Sequence, residues 1–210
     1  MSRTDAPIVT PVLVAGCIIL LAGFGIRASF GLFQIPIAEE FGWGRADFSL
    51  AIAIQNLAWG IGQPIFGALT ERFGDRRAIV IGALLYAAGL VASAFATTPG
   101  AHQLLEIIIG FGIAGTGFGV ILAVVGRAAA PEHRSMTLGI ATAAGSAGQV
   151  VGPPATDALL MLMPWQGVFL VYAGTILAVL ALLPLMRTPA PASRAKLEES
   201  LGQVLGRAFR

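Results

Sequence analysis

Six long apolar runs, separated by short polar breaks, leave this chain very few ways to fold. The runs cover residues 9–36, 48–69, 78–97, 102–126, 137–161 and 165–186. An apolar helix of about 20 residues crosses the hydrocarbon core of a bilayer, and only helices or closed barrels satisfy their backbone polar groups there. Barrel strands alternate apolar with polar residues, whereas these runs are continuous. The chain therefore reads as an all-α membrane protein with six transmembrane helices, multi-pass in the cell (inner) membrane. Composition agrees: 56% of the 210 residues are hydrophobic and 11% are charged, against about 45–50% and about 25% in soluble domains.

Orientation follows from the positions of Lys and Arg, which cytoplasmic segments retain. With the N-terminus inside, Arg3, Arg72, Arg76, Arg77, Arg127, Arg134, Arg187, Arg194, Lys196, Arg207 and Arg210 all fall on the inside, and only Arg45 falls outside. Both termini are expected in the cytoplasm. The net charge of +2 is thus a topology signal, with no nucleic-acid partner implied; the bilayer is the first partner. Cys17 stands alone, so no disulfide framework exists. Arg3 leads into a span with no small-residue cleavage signal, which predicts a retained first helix.

Three segments are expected: an N-terminal cytoplasmic tail over 1–8, a six-helix domain over 9–186 and a cytoplasmic tail or linker over 187–210. In the last, Leu197, Leu201, Val204 and Leu205 recur at helical spacing beside Lys196, Glu198, Glu199 and Arg207. That is the pattern of an amphipathic surface helix; a frayed tail is the alternative. Gly23-Phe24-Gly25-Ile26 recurs as Gly110-Phe111-Gly112-Ile113, and Gly62-Gln63-Pro64 has a looser echo in Gly148-Gln149 and Gly152-Pro153. A 3+3 inverted repeat would leave such traces, as would chance in glycine-rich helices.

A few polar residues inside the spans are candidates for chemistry. Arg27 lies near the middle of the first run, where a guanidinium costs several kcal/mol unless it faces a wet cavity or a partner. With Phe30 and Gln34 it makes one helical stripe suited to an anion, since the planar guanidinium grips both oxygens of a carboxylate. The alternative is an ion pair with Glu106 or Asp157 that only ties helices together. The second run carries Gln55, Asn56, Trp59 and Gln63; Gln55 and Trp59 are read as cavity lining, with interhelical hydrogen bonding as the other reading. Glu106, four residues before Gly110, is a proton-coupling candidate if burial favours its neutral form, or else a solvated first-turn acid. Gly145, Gly148 and Gly152 allow close helix approach, and Pro153-Pro154 bends or loosens the fifth helix. His102 and His133 fall in predicted loops, far apart, so neither a metal site nor a cofactor is expected. No paired acid, Ser/His or His/Cys arrangement in the spans points to an enzyme.

Between the second and third runs stands Gly67-Ala68-Leu69-Thr70-Glu71-Arg72-Phe73-Gly74-Asp75-Arg76-Arg77, with five charged residues in eleven. Such a cluster must lie at the membrane surface as a tight loop. It resembles the loop between helices two and three of the major facilitator superfamily, Gly-x-Leu-x-Asp-Arg-x-Gly-Arg-Arg, with Glu71 in place of aspartate and Asp75 where a basic residue is common. Gly148-x-x-x-Gly152-Pro153 is similar to that superfamily's fifth-helix antiporter motif without its following glycines. The fourth-helix pattern has an arginine where this chain has Glu106. The stretch from Gly25 to Phe33 and Glu40-Phe41-Gly42-Trp43 look most like the oxalate/formate and monocarboxylate branch.

The resemblance implies one half of the major facilitator fold, with Gly67, Glu71, Arg72, Gly74, Arg76 and Arg77 as a cytoplasmic gate that latches onto a second six-helix half. It also implies alternating-access transport of small organic anions, monocarboxylate-like, by symport or antiport with a proton as second cargo. The substrate would meet Arg27, Phe30, Gln34, Gln55 and Trp59. A separate chain or a homodimer would supply the second half. Proton-coupled drug efflux and a truncated non-transporting remnant or subunit are the alternatives.

Overall fold

The computed structural model describes residues 7–186; the readings on residues 1–6 and on the tail 187–210 lie outside the described residues. Six helical rods make up the described part: α1 (Pro11–Phe41), α2 (Arg45–Phe73), α3 (Asp75–Ser93), α4 (Pro99–Ala128), α5 (Arg134–Leu160) and α6 (Trp165–Leu185). Local sequence sets their ends. Thr10 caps α1 by accepting from the Leu13 N–H at 3.2 Å, with Pro11 at the first helical position, where its missing donor costs nothing. Thr98 and Pro99 repeat the device at α4. Gly42 closes α1 in the left-handed region with φ 69°.

Three rods are irregular. α1 tightens into a 3-10 turn at Phe30–Phe33. α4 opens at Gly117, whose backbone is extended, and resumes at Phe118. The last part of α6, Val179–Leu185, is again 3-10. α5 stays helical through Pro153 and Pro154, although these leave the Gln149 and Val150 carbonyls without their usual helical donors.

Four rods, α1, α3, α4 and α6, are long and apolar enough to cross a membrane, with mean hydropathy between 1.4 and 2.5. α2 and α5 are longer than α3 but carry a heavier polar and small-residue load, and fall outside that group. Packing pairs α1 most closely with α5, and α2 with α4. Exchanging the first three rods with the last three turns one pair into the other, as an internal repeat would require.

Two apolar cores fill the bundle. One is aromatic, with Phe30, Phe33, Phe48, Tyr86, Trp165, Phe169 and Tyr172; the other is aliphatic, with Leu13, Ile19, Leu20, Ile79, Ile121 and Val124. Trp59 packs against both. It therefore marks the seam between them.

Candidate functional site

Arg27 occupies the last α-helical turn of α1, just ahead of the tightened turn. Its Nη2 donates to Oδ1 of Asn56 on α2, and the Asn56 amide is oriented by its own donation to the Ile52 carbonyl at 2.9 Å. The guanidinium carbon lies 4.6 Å over the Trp59 ring, a contact worth about 0.5–2 kcal/mol. Neither Glu106 nor Asp157 pairs with it: among the described residues Arg27 has no carboxylate partner, and its Nε has no hydrogen-bond acceptor. An amide and a ring face hold the cation in place without neutralising it.

The floor beneath this cation is irregular backbone. A Cβ at Gly117 would stand 3.6 Å from the Trp59 indole nitrogen, which has no hydrogen-bond partner among the described residues. Two residues on, Gly119 faces the Gln63 side-chain oxygen so closely that any side chain would displace it. The break in α4 thus lies against α2 where Trp59 and Gln63 project. Broken helices beside a cavity are how membrane transporters present backbone polar groups to cargo.

The other sequence-predicted residues scatter. Phe30 is buried in the aromatic core against Phe33 and Phe169, at ring distances of 6.2 and 5.8 Å. The turn at Phe30–Phe33 breaks the α-helical stripe expected to join it to Arg27 and Gln34; Gln34 is half-buried where the α-helix resumes. Gln55 turns away from Arg27 and donates to Glu106 Oε2 at 2.6 Å. Glu106 is fully buried, and the expectation of a solvated first-turn acid does not hold. His102 is likewise not a loop residue: it lies in the first turns of α4, buried, 3.4 Å from Glu106.

At the opposite end, the charged run is helical rather than a loop. Glu71 and Arg72 lie in the last turn of α2, and Asp75, Arg76 and Arg77 in the first turn of α3, with Gly74 the single linking residue. Gly74 has φ 89°, which a side chain would strain. Asp75 is buried and accepts from Arg127 of α4 at 2.5 Å, and Arg76 donates to the Pro184 carbonyl of α6 at 3.2 Å. Glu71 and Arg77 are exposed; Arg72 rests on the Phe73 ring at 5.2 Å. Between α1 and α5, Gly148 abuts the Leu21 backbone and Gly152 the Gly25 backbone, while Gly145 receives the Phe118 ring.

Comparison with known proteins gives this architecture its context. The family model described as Major Facilitator Superfamily matches residues 15–210. The chain belongs to the major facilitator superfamily. It is 30% identical over 162 residues to monocarboxylate transporter 11 of Mus musculus, covering 73% of this chain and 34% of that one. It is 32% identical over 195 residues to multidrug resistance protein MdtH of Yersinia enterocolitica, covering 89% and 46%, and 26% identical over 156 residues to a probable L-galactonate transporter of Escherichia coli K12, covering 73% and 34%. The chain spans about a third to a half of the length of these curated relatives.

Superfamily membership and the apolar rods make this an integral membrane protein whose relatives are transporters. Asn56, Gly117, Asp75 and Arg127 were not singled out as site residues from sequence. The first two have a legible signal, an amide next to Gln55 and a glycine midway between Gly115 and Gly119, two residues from each. The Asp75–Arg127 pair joins residues 52 apart, which no local pattern announces.

Proposed function

We propose that the chain forms one six-helix half of a secondary transporter that carries small monocarboxylate-like organic anions by alternating access. All six rods cross the cell (inner) membrane of a bacterial-type cell, both termini are cytoplasmic, and a second six-helix half closes the cavity. In this reading the two rods of lower hydropathy, α2 and α5, border that cavity. The observation that carries it is Arg27: a half-buried guanidinium, oriented by Asn56 and Trp59, with its charge unpaired among the described residues. An anion is the ligand that such a group favours most, and the start of the helical segment at Phe118 adds partial positive charge on the same side.

The 30%-identical monocarboxylate transporter supports that substrate class. Drug efflux is the second reading, favoured by the match to a multidrug resistance protein over 89% of the chain; a buried acid in place of the fourth-helix arginine argues against transferring its mechanism. Trp59 provides the test. Titrating lactate into the chain in lipid nanodiscs changes tryptophan emission in wild type, and Arg27→Ala abolishes the change. An equal response in both proteins, or a response to a lipophilic cation alone, overturns the anion reading.

A further inference from the structure

The aromatic core encloses a second polar group, separate from the contacts that hold Arg27. His102 and Glu106 lie one turn apart on α4, 1% and 0% exposed, with Nε2 3.4 Å from Oε1. Gln55 of α2 holds the other carboxyl oxygen at 2.6 Å. The imidazole is packed among the rings of Trp43, Phe48 and Phe169, at centroid distances of 5.7, 5.8 and 6.3 Å. Neither imidazole nitrogen nor Glu106 Oε1 has a hydrogen-bond partner among the described residues.

The surrounding elements bring little charge to this group. α2 contributes the neutral Gln55, and Asp47 at its start turns its carboxylate to the Gly44 N–H. α3 contributes Tyr86, fully buried with its hydroxyl on the Gly23 carbonyl at 3.2 Å. Beyond Tyr86 lie Arg27 of α1, engaged with Asn56, and Tyr172 of α6, bonded to Thr156. Among the described residues no Lys or Arg pairs with the carboxyl.

A bare carboxylate sealed here with a single amide donor would be costly. One proton removes the cost: the pair becomes neutral, and a carboxylic O–H has a lone pair on Nε2 to point at. Leaving that proton on the acid avoids creating two buried charges. We propose that His102 and Glu106 form a sealed proton-binding site, in which the protonated Glu106 carboxyl donates to His102 Nε2 and holds one exchangeable proton. His102 is the positioning residue, fixing the proton at Oε1, and Gln55 is the latch on Oε2. Release requires α2 and α4 to part, because Gly110 of α4 lies directly on the Gln55, Ala58 and Trp59 segment of α2. Use of that proton in transport rests on the anion-carrier reading; its binding does not.

The test reads the proton itself, in the purified full chain in lipid bilayers at neutral pH, so a failure of anion binding leaves it interpretable. Infrared spectroscopy should show a carboxylic-acid carbonyl band in wild type that is lost in Glu106→Gln, a change that preserves the acceptor for Gln55. Nitrogen NMR in a His133→Gln background should show His102 as a neutral imidazole whose Nε2 signal moves in Glu106→Gln. His102→Phe, which keeps the aromatic packing, should retain the infrared band at a shifted frequency. An absent band, an imidazolium signal, or an Nε2 signal indifferent to Glu106 would each overturn the proposal.

Discussion

Gln55 and Asn56 are neighbours in the chain, yet Gln55 donates to the buried Glu106 of α4 while Asn56 accepts from Arg27 of α1. Successive residues on a helix point about 100° apart, so one turn of α2 reaches two polar centres on two different helices. Any shift of α2 along its axis disturbs both. This makes α2 the element that links the Arg27 contact to the Glu106 contact.

Asn56 tests the cradle most directly. Asn56→Asp places a carboxylate where the amide now holds Arg27, supplying an internal anion that competes with cargo. Lactate affinity measured by Trp59 emission should fall at least tenfold, equivalent to about 1.4 kcal/mol. Asn56→Ala should weaken binding less, because it removes the orienting bond but leaves the charge available.

Trp59→Phe keeps an aromatic face under Arg27 but a poorer one. Cation–π contacts of this kind are worth about 0.5–2 kcal/mol and are strongest with Trp, so lactate affinity measured by calorimetry should fall several-fold with little loss of folded protein. Trp59→Leu, which removes the π face, should fall further.

The α1–α5 contact predicts a sharp contrast between glycines. Gly148→Ala drives a methyl into the Leu21 backbone, whereas Gly139 has open space around its Cα hydrogen. Thermal unfolding in detergent should show a clear loss for Gly148→Ala. Gly139→Ala should be neutral or stabilising by up to about 1 kcal/mol, the usual helix-propensity gain.

For Asp75 and Arg127, the pairing should appear as coupling. Asp75→Asn leaves the guanidinium unpaired, and Arg127→Gln leaves a buried acid; each should lower the unfolding midpoint. The double variant should lose less than the sum of the two, with an interaction of about 1 kcal/mol or more. Additive losses would mean that the 2.5 Å contact contributes nothing of its own.

Helix positions were the most legible part of this chain, because hydropathy acts over whole rods and needs no partner. Apolar runs located every rod to within several residues. The ends that differ, such as Arg45–Asp47 at the start of α2, are places where polar residues continue a helix beyond its apolar run. Arg27 could be singled out because an unexplained charge in an apolar run is visible in one dimension. Trp59 is legible beside it as a cavity-lining ring, and the structure does set it against Arg27; Asn56 is not, because it differs from Gln55 only in which neighbour its face of α2 meets. Phe30 falls in line with Arg27 only on an α-helical period, which the 3-10 turn interrupts. In sequence His102 looks like a loop residue because Thr97-Thr98-Pro99-Gly100 reads as a break, whereas Thr98 and Pro99 form the cap that starts α4. The charged run reads as a loop for a similar reason: charge density resembles a turn, but within the run only Gly74 has a positive φ.

The meeting of Gly25 with Gly148 and Gly152 has a mechanical consequence. Most helix pairs interlock side chains like teeth, and moving one past the other forces those side chains through new rotamers. Here two bare strips of backbone lie against each other along the centre of the pair, with nothing to disengage. Such a surface behaves as a plain bearing: it holds α1 and α5 close while resisting axial slip only weakly.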